Sequence, residues 1–197
     1  MAAIDTSRRV SWKRVKWTRA GQLSAIVEGL EGQVQLHELE PADAFTSMRS
    51  LNPALATNFI AQCLPRMDAV EWLSTCLKRT PAASTAELVN AREAVVAWTR
   101  DPSEANRRAA FQAGELAGWA SAEGAACLAI FLSGGSIAPP EQEVPVHPVP
   151  GTFGLAVAGA VLLAAQASGA EHFAAQLANM LDLADDVASG TPSTQAG

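Results

Sequence analysis

Tyrosine is absent, and runs of β-branched residues are few. Both scarcities count against a sheet, because strands draw on aromatic and β-branched side chains. Cysteine is scarce too: Cys63, Cys76 and Cys127 are odd in number and show no C-x-x-C spacing. Each lies in an apolar, helix-forming neighbourhood, so all three read as small buried hydrophobes. That usage suits a reducing compartment, and the expected location is the cytoplasm. No apolar run is long enough to cross a bilayer, which takes roughly 20 residues. The sequence around Arg8 and Arg9 superficially resembles a twin-arginine export signal. Only the short LSAIV segment before Glu28 follows it. Without an apolar region behind the arginines, export is not expected.

Catalytic signatures are also missing. His37, His147 and His172 are expected on a strand surface, in a loop and on a solvated helix face, and none has a second ligand at helical or hairpin spacing. Glu171-His172 is not the H-E-x-x-H arrangement that places two imidazoles on one helix face. Gly134-Gly135-Ser136 lacks the Lys-Ser/Thr pair and the helix start that hold a phosphate. No G-x-S-x-G elbow occurs. Asp182, Asp185 and Asp186 have neither the Gly turn nor the spaced Glu of a calcium loop. The reading therefore leans away from an enzyme, with no catalytic residue, cofactor or metal assigned.

What is present is alanine-rich helix. The stretch TFGLAVAGAVLLAAQ, Thr152 to Gln166, carries no polar side chain between Phe153 and Ala165. A helix apolar all round is a membrane span or a buried core element, and this one is too short to span. Gly154, Ala158, Gly159 and Ala160 are expected to let neighbouring helices approach closely. The fold class is all-α: one compact domain of about seven helices with this helix at its centre, on the strength of helical periodicity. A chain of 197 residues buries about 70% of its unfolded surface and needs no staples.

The organisation is expected as follows. Residues 1–52 form a basic, partly irregular arm, with a short strand near 33–39 and a short helix at 41–49. Residues 53–189 form the helical domain, and 190–197 a disordered tail. Asn52-Pro53 opens the first helix of the domain. Ala69, Trp72, Leu73, Cys76 and Leu77 share one face of the next, with Asp68, Glu71, Thr75, Lys78 and Arg79 opposite. Ser84 to Glu87 reads as a capping box, ahead of a face built from Leu88, Ala91, Val95 and Trp98. Asp101 and Pro102 are expected to open another helix, packed through Ala105, Ala109, Ala113 and Leu116. Ser121 caps a short apolar helix. Residues 133–150 hold five prolines and read as a stiff, extended strap, either wrapping the body or offered to a partner. The last helix lines one side with Phe173, Leu177, Met180, Leu181, Ala184 and Val187.

Charge is split. Six basic side chains up to Arg19 oppose Asp5, a net of +5, which leaves −11 for the rest of a chain whose total is −6. An acidic body does not suit nucleic acid, and neither nucleic acid nor a membrane is an expected partner. A basic arm either folds back on such a body or holds an acidic protein. Trp12, Lys13, Arg14, Lys16 and Trp17 interleave aromatic and basic groups, the types enriched at interface hot spots. The alternative is that both rings fold onto the helices. Arg107 and Arg108 form a second candidate surface, or else a solvated face paired with Glu104. Asp182, Asp185 and Asp186 crowd a helix C-terminus, where acid opposes the dipole, so that end either frays or holds a cationic partner.

Two stretches, DPSEANRRAAFQAGELAG (Asp101 to Gly118) and LSGGSIAPP (Leu132 to Pro140) followed by VAGAVLLAA (Val157 to Ala165), resemble a family of uncharacterised bacterial all-helical proteins. The resemblance covers residues 53–165, leaving out the arm and the last helix. It implies a link to type VI secretion gene neighbourhoods and carries over no catalytic residue. Three functions are weighed. The preferred one is a cytosolic adaptor or co-chaperone for a secretion effector or its chaperone. The others are an immunity-type inhibitor that meets a basic toxin with its three aspartates, and a small-molecule-binding helical protein.

Overall fold

The computed structural model describes residues 12–81 and 83–191. The arginine pair at positions 8 and 9 and the tail beyond Thr191 lie outside the described residues. The chain is all-helical, with no strand among the described residues. Among the described residues eight α-helices run in order: α1 Pro41–Leu51, α2 Pro53–Cys63, α3 Arg66–Lys78, α4 Ala86–Arg100, α5 Glu104–Ala117, α6 Ala122–Phe131, α7 Thr152–Gln166 and α8 Phe173–Ser189. None among the described residues is long and apolar enough to cross a membrane.

The helix α7 is the centre. It lies against α6, α2, α3 and α8, and Val157, Ala158, Ala160, Val161, Ala164 and Ala165 are buried. Small side chains let the partners sit close, while the first turn departs from the expected all-round burial. Leu155 is 53% exposed, at the mouth of a surface hollow shared with Glu28 and Glu31. Gly159 also departs, for nothing lies within 4 Å of where its Cβ would be. On the far side α5 packs on α6 and α4. The helix α3 ties α8 down: the Trp72 Nε1–H donates to the Met180 carbonyl at 2.8 Å, which satisfies a buried indole that would otherwise be costly.

The expected strand near 33–39 does not form. Val34–Leu36 is a 3-10 helix, and the apparent alternation splits between a buried Leu36 and a Val34 that is 69% exposed. No second strand among the described residues is available to pair with, and a lone strand leaves its backbone groups unsatisfied. His37 accordingly leaves the strand surface foreseen for it; its Nε2 lies 2.8 Å from the Leu30 carbonyl oxygen. The arm is irregular but packed. Leu23, Val27, Leu30 and Leu36 are buried, and Ala20 and Gly21 donate to the Leu39 and His37 carbonyls.

Three helix starts and faces differ in detail. Thr85, one residue after Ser84, caps α4 by accepting from the Leu88 amide. Ser103, not Asp101, caps α5 by accepting from the Asn106 amide. The packed stripe of α5 is Arg107, Ala110 and Gly114, whereas Leu116 of the expected face is 73% exposed. Alanines recur so often in α5 that several stripes fit the spacing equally well. What decides is that Arg107 finds enough acceptors to go inside.

Candidate functional site

The described part of the arm begins at Trp12, whose ring packs on Phe45 of α1 with centroids 5.2 Å apart. Its indole N–H donates to Asp185 Oδ1 at 2.6 Å. Two residues on, the Arg14 amide donates to the Ala188 carbonyl at 3.0 Å. The Arg14 guanidinium donates to Asp68 Oδ1, also at 2.6 Å. Asp68 is thereby buried rather than placed on the polar side of α3. The arm and the acidic end of α8, read from the sequence as two separate surfaces, are therefore partners of each other. Asp182 is used as well, accepting from Arg49 at 2.6 Å. Asp186 remains exposed, as does Lys13, which lies beside Gly190.

Past Arg14 the arm forms one wall of a cleft of about 520 Å³. The other walls are the turn from α2 into α3 and the start of α7. Arg14 and Lys16 line it together with Trp17 and Phe153, and no carboxylate among the described residues does; Arg66 touches it too, but its guanidinium lies beside Gly134, in a separate hollow lined by Glu104 and Arg107. Among the described residues neither Lys16 nor Arg66 forms an ion pair. The Lys16 Nζ instead sits 4.6 Å from the Trp17 ring centroid, an attraction between cation and ring face. The N-caps of α3 and α7, Pro65 and Gly151, both line the cleft, and neither helix has a side-chain cap. Uncapped first-turn amides carry partial positive charge, which adds to the same sign of potential.

The cleft floor depends on two glycines. Gly151 holds φ at +89°, and a Cβ there would also meet Ile26 at 3.1 Å. Gly154 lies so close to the Gln62 carboxamide that any Cβ would collide with it. In that position the Gln62 Nε2 donates to the Gly151 carbonyl at 2.6 Å, locking α2 to the start of α7.

The second pair of cations has a different task. Arg107 is buried, which corrects the solvated face foreseen for it. It donates to both oxygens of Glu104, to the Phe131 carbonyl at 2.5 Å and to the Ser136 carbonyl at 2.7 Å. Arg108 also reaches Glu104 and the carbonyls of Ser136 and Ala138. The hydrogen bond from Arg107, seconded by Arg108, holds the Glu104 carboxyl down to about 2. These two arginines therefore rivet the base of the strap to α5. Beyond Ala138 the strap is largely exposed.

Of the residues singled out from the sequence, the structure gathers Arg14, Lys16 and Trp17 in one cleft and leaves Arg107 and Arg108 at another place. Phe153 of the cleft was missed, because the sequence reading placed it inside the buried central helix. The ion pair of Arg92 with the buried Glu123, at 2.7 Å, was missed too, since nothing in an Ala-Glu-Gly triplet announces a buried carboxylate.

No curated protein and no solved structure matches the chain. A family model does match, over residues 47–188. It takes in α8, which the sequence resemblance had left outside. Spanning well over half of the 197 residues, that match makes the chain a member of the family of unknown function DUF6931.

Proposed function

We propose that this protein is a non-enzymatic protein-interaction module: a bacterial cytosolic adaptor or co-chaperone for a type VI secretion effector or that effector's chaperone. The observation that supports a docking role is the cleft. It brings Arg14 and Lys16 together with two aromatic rings, without a carboxylate among the described residues, on a chain whose net charge is −6. Such a concentration of opposite sign steers an acidic partner and orients it. Arg and Trp are also the side chains most often found at the centre of an interface. The secretion context comes from the resemblance of Asp101 to Gly118 and of the segments up to Ala165.

The inhibitor reading has less to draw on, because Asp182 and Asp185 already have internal partners. The small-molecule reading retains an apolar groove of about 310 Å³ between Pro53, Ala54, Phe173 and Leu177. The test is affinity capture from the native host with the wild-type chain and with a Lys16→Glu variant, identified by mass spectrometry. The expected result is an effector or its chaperone held by the wild type and lost by the variant. Equal capture by both proteins rejects the cleft as the docking site, and a captured set without secretion components rejects the adaptor assignment.

A further inference from the structure

We infer that the protein pairs with a second copy of itself, the Lys16 ammonium of each copy entering the acidic hollow beside Leu155 of the other. This goes beyond the docking reading and needs no outside partner.

Two hollows lie side by side and differ in sign. The cleft beside the arm presents Lys16, which is exposed and has no acidic partner among the described residues. Its contact with the Trp17 ring orients the ammonium without cancelling its charge. Arg14 is already met by Asp68 and adds nothing to the count. The neighbouring hollow, of about 370 Å³, is lined by Glu28 and Glu31 and by no cationic side chain among the described residues. Both glutamates are exposed, and neither forms an ion pair among the described residues. The Ser24 and Thr152 hydroxyls of the same hollow already donate, to the Gly21 and Val149 carbonyls. Asn58 lines it as well; it is 9% exposed, and its Oδ1 is without a hydrogen-bond partner among the described residues. The hollow has acceptors to spare and few donors. An ammonium supplies N–H donors and the missing positive charge together.

The way the two hollows adjoin selects a second copy as the occupant. Ile26, Pro150 and Gly151 line both, so a single wall separates the basic cleft from the acidic hollow. Gly151 keeps that wall thin, since a Cβ there would meet Ile26 at 3.1 Å. A two-fold axis running along the wall sets the Lys16 of each copy opposite Glu28 and Glu31 of the other. Such a surface is self-complementary, as a two-fold interface requires. The wall and its flanks are also apolar: Pro150 and Leu155 are exposed, and Ile26 and Phe153 are half-buried. Two copies brought together cover these groups with each other and form the charge contact twice. A dimer built this way covers the cleft, so an acidic partner and the second copy compete for Lys16.

The experiment is sedimentation velocity of the full chain from about 1 μM to about 500 μM, a span suited to a small, transient interface. The wild type is expected to pass from monomer to dimer and to stop there, because a two-fold contact closes on itself. Lys16→Glu and Glu28→Lys/Glu31→Lys each set like charges opposite one another twice, and each is expected to stay monomeric. Mixed in equal amounts, the two variants are expected to recover the dimer, since both contacts then join opposite charges. All three side chains are exposed, so the variants keep their melting temperature, which is measured alongside. Glu28→Lys alone spares the hydrogen bond from the Gly29 amide to Glu31 and is expected to weaken the dimer about tenfold. A wild type that stays monomeric, a dimer that either charge-reversed variant leaves intact, no recovery on mixing, or growth past the dimer each overturns the inference. The docking reading is judged separately, by the partner captured from the host.

Discussion

At the scale of the residue, the arm shows how one side chain serves both packing and charge. Trp12 is 8% exposed, stacks against Phe45 and gives its N–H to Asp185. Removing it opens a cavity and strips the donor from a carboxylate. Trp12→Ala is expected to lower stability by about 3 kcal/mol, the low end for a large aromatic, read as a shift in urea midpoint at constant slope. Trp12→Phe keeps the packing and isolates the hydrogen bond, worth about 1 kcal/mol. An interaction assay built on Trp12 therefore measures folding, and the informative arm positions are Lys16 and Trp17. Arg107 presents the opposite case, a buried cation with four acceptor contacts. Arg107→Ala leaves the Phe131 carbonyl without its donor, leaves Ser136 only the longer bond from Arg108, and loosens the strap on α5. A loss of about 3 kcal/mol is expected, with faster proteolysis between Gly134 and Pro150 as its local signature. A variant with lower stability but unaltered cleavage there contradicts the rivet.

At the scale of the element, legibility tracked how many sequence registers satisfied the same pattern. The face of α3 was readable because Trp72, Leu73, Cys76 and Leu77 admit one stripe, and all four are buried. That of α4 was readable through Ala91, Val95 and Trp98. In α5 the alanines fit several stripes, and a guanidinium settled the matter by going inside, which no hydrophobicity scale anticipates. The 3-10 helix at Val34 imitated a strand because two apolar residues two apart satisfy either period. The cleft was half legible. Lys16 and Trp17 stand out in sequence, but Phe153 joins them only through the packing of α2 on α7. That packing depends on Gly154, where the Gln62 carboxamide occupies the space of a Cβ. Gly154→Val is expected to push the two helices apart and lower stability by about 2–3 kcal/mol. It also disturbs the cleft, so amide resonances of Gly151 and Phe153 should shift more than those of α4. Shifts confined to residue 154 itself would refute the coupling between the helix contact and the cleft.

At the scale of the whole molecule, pH acts through groups spread over several helices. Glu104, held down to about 2 from 4.5 chiefly by Arg107, contributes stability that is complete above pH 4.5 and fades as pH falls towards 2. The thiols act on the alkaline side with the opposite sign. Burial pushes Cys76 of α3 from 9.0 to about 12 and Cys127 of α6 likewise to about 12. It raises the Cys63 thiol at the end of α2 well above 9.0 too. Above pH 9 the unfolded chain releases these protons while the folded chain retains them, so the unfolded state binds fewer and stability falls as pH rises. Three thiols on three different helices all require neutral, dry surroundings, so the penalty falls on the global transition rather than on local opening. The urea midpoint is expected to decline steadily from pH 9 to pH 10.5, and a Cys63→Ala/Cys76→Ala/Cys127→Ala variant, though less stable at neutral pH through lost packing, should show a shallower decline. Native protein should resist iodoacetamide at pH 8, with all three cysteines alkylated together only at the rate of global unfolding. Rapid labelling of any one of them in the folded protein would show that its helix opens alone, and would remove that thiol from the account of the alkaline limb.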